Sequence, residues 1–308
     1  SKVTVSNSMV CPLSAPQMTE NNIRENLLGI GFIIIAMAGF AVEDAIIKFL
    51  TARLSPGQIM VMIGLGGTSC FYLLARLNGQ SVTQKIVRNP WVIGRTLSEL
   101  FGTALFVLSL ALVPIITISA IIQVSPLLVT LGAAVLLREK VGIRRWSAIV
   151  IGLFGVVVIL RPWATNFDAA AILALLGVIG LSARDVATRR VPKQTPSLVL
   201  AILGFGATIP AGLILIAFDP HLLVPTSQET ILFVASIFIG VGAYYCIVTA
   251  MRLGDVSAVV PFRYSRLVFG VAIGVWYFDE TLDRWTLIGS AIVVGSGLYA
   301  LWRETRRR

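Results

Sequence analysis

Charge is scarce in this sequence. Asp, Glu, Lys and Arg make up 13% of its 308 residues, about half the roughly 25% usual in soluble domains. Histidine is nearly missing: His221 is the single copy, in a polar stretch. The three cysteines, Cys11, Cys70 and Cys246, share no motif spacing, and the last two lie in apolar runs. These absences argue against a disulfide framework, a zinc or haem site, and a Cys/His nucleophile pair. Neither a metal nor a cofactor is expected. What is abundant is apolar: 56% of residues, with a mean hydropathy of +0.88. A water-soluble fold of this size could not hide so much apolar surface, so the solvent is lipid. The net charge of +10 then belongs to loops facing one side of a membrane and does not imply nucleic acid.

A helix crosses about 30 Å of hydrocarbon with about 20 apolar residues. Ten stretches qualify, at approximately 27–50, 58–77, 91–113, 114–137, 145–160, 168–188, 197–217, 230–251, 256–278 and 285–302. The expected fold class is therefore an all-α integral membrane protein with ten transmembrane helices. Residues 1–26, rich in Ser, Asn and Thr, read as a disordered tail, and 303–308 as a basic one. The first span is too long for a signal-peptide core and is expected to be retained. All six tryptophans fall at or just beyond span ends, as an aromatic belt requires. With the N-terminus in the cytoplasm, Arg24, Arg76, Lys85, Arg88, Arg138, Arg144, Arg189, Arg190 and the tail arginines collect inside. Arg53, Arg161 and Arg284 are left outside. That bias predicts cytoplasmic termini in a bacterial-type inner membrane.

The chain repeats weakly at an offset of 141. AVEDAIIK (41–48) aligns with SARDVATR (182–189), so Asp44 falls on Asp185, Lys48 on Arg189 and Gly39 on Gly180. Glu139, closing the fourth span, falls on Glu280, closing the ninth. Two halves of five spans, 27–160 and 161–302, must enter the membrane from opposite sides. Such a 5+5 inverted-topology repeat is the architecture of many secondary transporters, which alternate between two related states.

Charges in hydrocarbon need a partner, a wet cavity or an escape to the interface. Arg95 and Glu99 lie four apart on one face of the third span and can neutralise each other. Asp44 with Lys48, and Asp185 with Arg189, form two more such pairs near span exits on opposite sides. They read either as helix-end salt bridges or as matched gates. Arg263 and Arg266 in the ninth span have no acid within one helical turn, so the partner is another helix through an acid such as Glu99, a carbonyl, or an anionic solute group, which the guanidinium fork suits. Tyr264 lies between them. Glu43 has no local partner and is a candidate for a solute ammonium or for proton coupling. Gln123 and Ser125, beside helix-breaking Pro126, are candidate cavity residues, as is one of Tyr244 and Tyr245. Arg184 is expected to point away from Asp185.

These landmarks resemble the EamA-type members of the drug/metabolite transporter superfamily: ten spans, inverted halves, Ser125-Pro126 in the fourth span, and Glu139 and Glu280 closing spans four and nine. The resemblance covers nearly the whole chain after residue 26. PFRYSR (261–266), with Asp44 and Lys48, is similar to a bacterial subgroup that includes S-adenosylmethionine-uptake-like and riboflavin-uptake-like carriers. Glu43 beside Asp44 departs from the commoner pattern. The resemblance implies a central cavity lined by spans one to four and six to nine, with spans five and ten peripheral. The expected activity is alternating-access transport of a small polar metabolite, zwitterionic or anionic and partly aromatic, with no catalysis. The expected partners are that solute and the bilayer; a homodimer stays open. An integral-membrane enzyme acting on lipid-linked substrates is the alternative, and would need clustered His, Asp and Glu near one interface, whereas the spans lack any His. A scaffold or sensor is the other, with no need for Arg263 or Glu43 at membrane depth.

Overall fold

A computed structural model describes residues 20–139, 142–164, 168–253 and 256–305. Among them the chain is helical, without strands. The first half runs α1 (Glu20–Leu50), α2 (Pro56–Leu77), a short α3 (Gln84–Val87) and α4 (Pro90–Leu112). Then α5 (Ile115–Ile121) and α6 (Ser125–Leu136) are joined by a 3-10 turn at Ile122–Val124, before α7 (Ile143–Leu160). The second half runs α8 (Ala170–Thr188), α9 (Ser197–Phe218) and α10 (Ser227–Leu253). It continues with α11 (Val256–Val259) and α12 (Ser265–Tyr277), joined by a 3-10 turn at Val260–Tyr264, and ends in α13 (Arg284–Thr305).

The helices start where local chemistry tells them to. Ser55 accepts a bond from the Gln58 amide with Pro56 in the first turn, and Asn89 accepts from Trp91 with Pro90 behind it. Nine helices among the described residues are long and apolar enough to span a bilayer, α5 through α6 counting as one. The ninth predicted span, 256–278, is present in two pieces. Pro261 lacks an amide proton and its ring crowds the carbonyl four residues back, so the helix tightens into the 3-10 turn. Pro126 acts likewise at the first break, where the Ser125 amide turns to the Ile122 carbonyl. Two boundaries differ from the sequence reading. Residues 20–26, assigned to the tail, begin α1, and 303–305 continue α13; the rest of the 1–26 tail and 306–308 lie outside the described residues.

The repeat is visible in the packing. Gly102 of α4 meets Gly180 of α8, where an added Cβ would come 2.9 Å from the Gly180 carbonyl carbon. The equivalent residues, Ala243 of α10 and Gly39 of α1, meet in the same way, with a Cβ on Gly39 2.9 Å from that of Ala243. Between α2 and α9 the contact is its own mirror: Gly64 faces Thr208 as Gly67 faces Phe205. The two 3-10 turns touch on the axis, where Gln123 Nε2 donates to the Tyr264 carbonyl at 2.9 Å, 141 residues away. The helices α7 and α13 pack on each other through Gly155 and Gly289. Leu50, Ile59, Leu110, Ile118, Ile121 and Val124 are fully buried, whereas Phe101, Phe154, Phe238 and Val268 are more than half exposed. In a bilayer that outer surface is solvated by lipid.

Candidate functional site

The charges in and at the ends of the spans pair across helices more than along them. Arg266 Nη2 donates to Asp44 Oδ2 at 2.5 Å, and its guanidinium lies 5.5 Å from the Phe40 ring centroid and 6.0 Å from that of Phe106. A guanidinium in hydrocarbon needs a full counter-charge, and Asp44 supplies it. The expected Asp44–Lys48 pair is therefore not formed. Lys48 reaches forward to the Val113 and Leu110 carbonyls at 2.7 and 3.3 Å, the negative end of α4, with Glu280 at 3.8 Å. The expected Asp185–Arg189 pair is also replaced. Asp185 takes Arg184 at 2.9 Å, and Arg189 lies 3.4 Å from Glu139. Successive residues on a helix point about 100° apart, which suggested separate roles for Arg184 and Asp185, but the long guanidinium folds back. It also reaches Glu99 at 2.7 Å. The predicted Arg95–Glu99 pair is one arm of this network, at 3.6 Å, and Arg95 Nη1 donates to the Leu200 carbonyl at 3.0 Å.

Glu43 and Glu99 line a common cavity of about 130 Å³, with Thr103, Gly204, Phe205 and Thr208 on its walls. Glu99 is held on both oxygens; Glu43 has no hydrogen bond or ion pair among the described residues. Arg263 likewise has no hydrogen-bond partner among them, its electrostatic neighbours being Asp185, Arg184, Arg266 and Tyr264. Other candidate residues sit elsewhere. Gln123 binds the Tyr264 carbonyl, Ser125 meets Ser182 at 3.1 Å, and the buried Tyr264 ring packs at Gly297 of α13. These three join helices and do not line the cavity. Tyr244 donates to the Ser197 carbonyl at 3.2 Å and stands edge-on to Phe71, while Tyr245 is 62% exposed on the exterior. Sequence reasoning passed over Arg184 as a bridge and used Glu280 and Glu139 only as landmarks. Their equal offset was the signal that they are a matched pair.

At one end of the bundle Glu280 accepts from the Ile115 and Ile116 amides at 2.7 and 2.9 Å, and with Lys48 it is largely buried (13% and 17% exposed). At the other, the equivalent Arg189 and Glu139 are 48% and 51% exposed.

Two inverted sets of helical spans, each with one broken member, enclose a mainly apolar cavity that holds two carboxyl groups, and carry a matched ion pair at either end. That is the build of a membrane carrier. The chain belongs to the EamA-like transporter family, whose model matches it twice, over residues 27–161 and 168–302. It is similar to a riboflavin transporter of Rhizobium johnstonii (25% identity over 91% of this chain and 93% of that protein). It is similar to an S-adenosylmethionine uptake transporter of Rickettsia conorii (26%, over 92% and 96%) and to a pseudopaline exporter of Pseudomonas aeruginosa (23%, over 86% and 93%). A crystal structure at 21% identity shares the fold, with a TM-score of 0.63 over 93% of this chain and 99% of its own.

Proposed function

We propose that this transporter is a secondary carrier of the bacterial inner membrane, with both termini cytoplasmic, and that it moves a small zwitterionic or anionic metabolite by alternating access. The halves 27–160 and 161–302 act as inverted units around the cavity, and the protein carries its solute across without converting it. The observation that supports this best is the pair of equivalent latches, Lys48–Glu280 held and Arg189–Glu139 loose. The excess of Lys and Arg in the loops at the opposite end supports an outward-facing Lys48 end. Among the residues near the path, Arg263 is the one to hold an anionic solute group. It is a cation in a broken span whose forked donors have no hydrogen-bond partner in the described chain. Asp185 is the acid within electrostatic reach of it, and the Asp44–Arg266, Arg95–Glu99 and Arg184–Asp185 pairs keep the interior charge balanced.

Relatives named for riboflavin and for S-adenosylmethionine make these two the first solutes to try. The test is uptake of each radiolabelled compound, and of a panel of amino acids, into proteoliposomes holding the full chain. Saturable, protein-dependent flux of at least one is expected; a folded protein that moves none contradicts the reading. Charged hydrogen bonds contribute about 1.5–3 kcal/mol each, and 1.4 kcal/mol is a factor of ten. Arg263→Ala should therefore lower flux roughly hundredfold, and Arg263→Lys, which loses the fork, about tenfold. The melting temperature should hold in both. An unstable Arg263→Ala rescued by a second change at Asp185 would make the residue structural.

A further inference from the structure

The two halves differ at one equivalent position within the spans in a way that points to a ligand. At the offset of 141, Glu43 corresponds to Arg184 and Gly240 to Glu99. In one half, Arg184 of α8 reaches Glu99 of α4 at 2.7 Å. In the other, α1 packs on α10 through the equivalent contact, Gly39 on Ala243, so Glu43 is delivered to the matching place and finds a bare glycine. A Cβ on Gly240 would lie 2.5 Å from Glu43 Oε1 and 2.9 Å from its carboxyl carbon. Glu43 therefore has the α10 backbone on one side and the cavity on the other, where its counterpart has a counter-ion. Its charged neighbours are Asp44 and Arg266, and these two are spent on each other. Across the cavity Glu99 already holds two arginines.

We infer that Glu43, at the gap left by Gly240, is the subsite for the cationic group of the solute, a substituted ammonium or a sulfonium; the inference rests on the transport reading above. A carboxylate at membrane depth calls for a counter-charge, and a charge-assisted contact is the strong way to supply one. A divalent metal would need several oxygen ligands, and the cavity offers Glu43 alone with its charge uncommitted. The cavity wall beside it includes the Phe205 ring, whose face suits an organic cation better than water does. With Arg263 taking the anionic group, the pair would read a zwitterion.

The test has two arms. In the first, Gly240→Lys and Gly240→Met are compared in the native and Glu43→Gln backgrounds, with thermal unfolding of the purified full chain as readout. A lysine at 240 is an internal ammonium, and methionine controls for its bulk. The lysine variant should melt a few degrees above the methionine variant when Glu43 is present, and the gap should close in the Glu43→Gln background. Equal melting in both backgrounds overturns the subsite. In the second arm, binding and flux of S-adenosylmethionine, which carries an ammonium and a sulfonium, are compared with those of riboflavin, which carries neither. Glu43→Gln should weaken S-adenosylmethionine binding roughly tenfold to hundredfold and leave riboflavin within about twofold. Loss of flux with S-adenosylmethionine binding intact would mean that Glu43 carries a proton, and overturns the assignment. So would a native carrier that moves riboflavin alone. A native protein that moves neither of these nor any of the amino acids counts against the transport reading, and the stability arm then decides the subsite by itself.

Discussion

Lys48 and Arg189 occupy equivalent places in the two halves, yet their surroundings are not equivalent. Lys48 is closed over by Glu280, by the end of α4, and by Leu110, which is fully buried. Arg189 faces a half-exposed Glu139, and Met251, the equivalent of Leu110, is 37% exposed. The Lys48 end also carries two ties that the repeat cannot copy. Arg53 grips Glu229, with Nε 2.7 Å from Oε1, whereas the equivalent positions hold Gln194 and Arg88. Arg161 reaches Asp283 at 2.8 Å, whereas the equivalents are Trp302 and Gly142. A repeat that keeps the latch and drops the side ties makes one end easier to hold shut than the other. Under the alternating-access mechanism proposed above, that imbalance favours the state shut at the Lys48 end.

The largest effect that would sharpen this contrast lies beneath the latches. Arg266→Ala strips a buried Asp44 of its partner and should cost about 3–5 kcal/mol, read as unfolding or lost expression of the purified protein. The equivalent position is Ser125, and Ser125→Ala should stay within about 1 kcal/mol. Similar losses at both would mean that the two halves carry their load alike.

The latch glutamates come next. Glu280→Gln gives up the charge that faces both Lys48 and the start of α5 and should cost about 1–2 kcal/mol in thermal unfolding. Glu139→Gln, at an exposed pair, should cost under about 0.5 kcal/mol. Equal costs would erase the difference between the ends.

A side tie should give a smaller effect than the Glu280 latch. Burial pushes the Asp283 carboxyl up, but the Thr286 hydroxyl and amide, the Trp285 amide and Arg161 outweigh it, so it titrates below the usual carboxylate value. Because the folded value is the lower one, its contribution is fully present above the unfolded carboxylate range and is lost as pH falls through the folded value. Asp283→Ala should cost about 1 kcal/mol at neutral pH and remove that part of the acid sensitivity of unfolding. An unchanged acid limb would remove Asp283 from the account.

The fold was largely legible because lipid imposes length and polarity on every span; the positions of the tryptophans and the 141 offset could be read directly. The break in the ninth span was half visible. Pro261 stood in the sequence, but that its turn would meet the one at Ile122–Val124 needed the packing of the halves. The site was legible as residues and illegible as pairs. Local spacing proposed Asp44–Lys48 and Asp185–Arg189, because i,i+4 neighbours are the contacts that a sequence can display. Neighbouring helices deliver counter-charges that spacing cannot show: Arg266 to Asp44, Arg184 to Glu99, Glu280 to Lys48 and Glu139 to Arg189, while Arg95–Glu99 is the local pair that did form. Gly240 carried no signal at all until its equivalence to Glu99 was set beside the contact that Glu43 makes.

The most direct test of alternating latches is cysteine labelling at two equivalent positions. Leu110→Cys and Met251→Cys, each in a chain whose native Cys11, Cys70 and Cys246 are replaced by serine, would be reacted with a water-soluble maleimide in permeabilised vesicles. The account predicts slow labelling at 110 and fast labelling at 251, and predicts that Glu280→Gln speeds the first while slowing the second. If Glu280→Gln moves both rates in the same direction, or moves neither, the two pairs are ordinary helix-end salt bridges and the latch account is wrong.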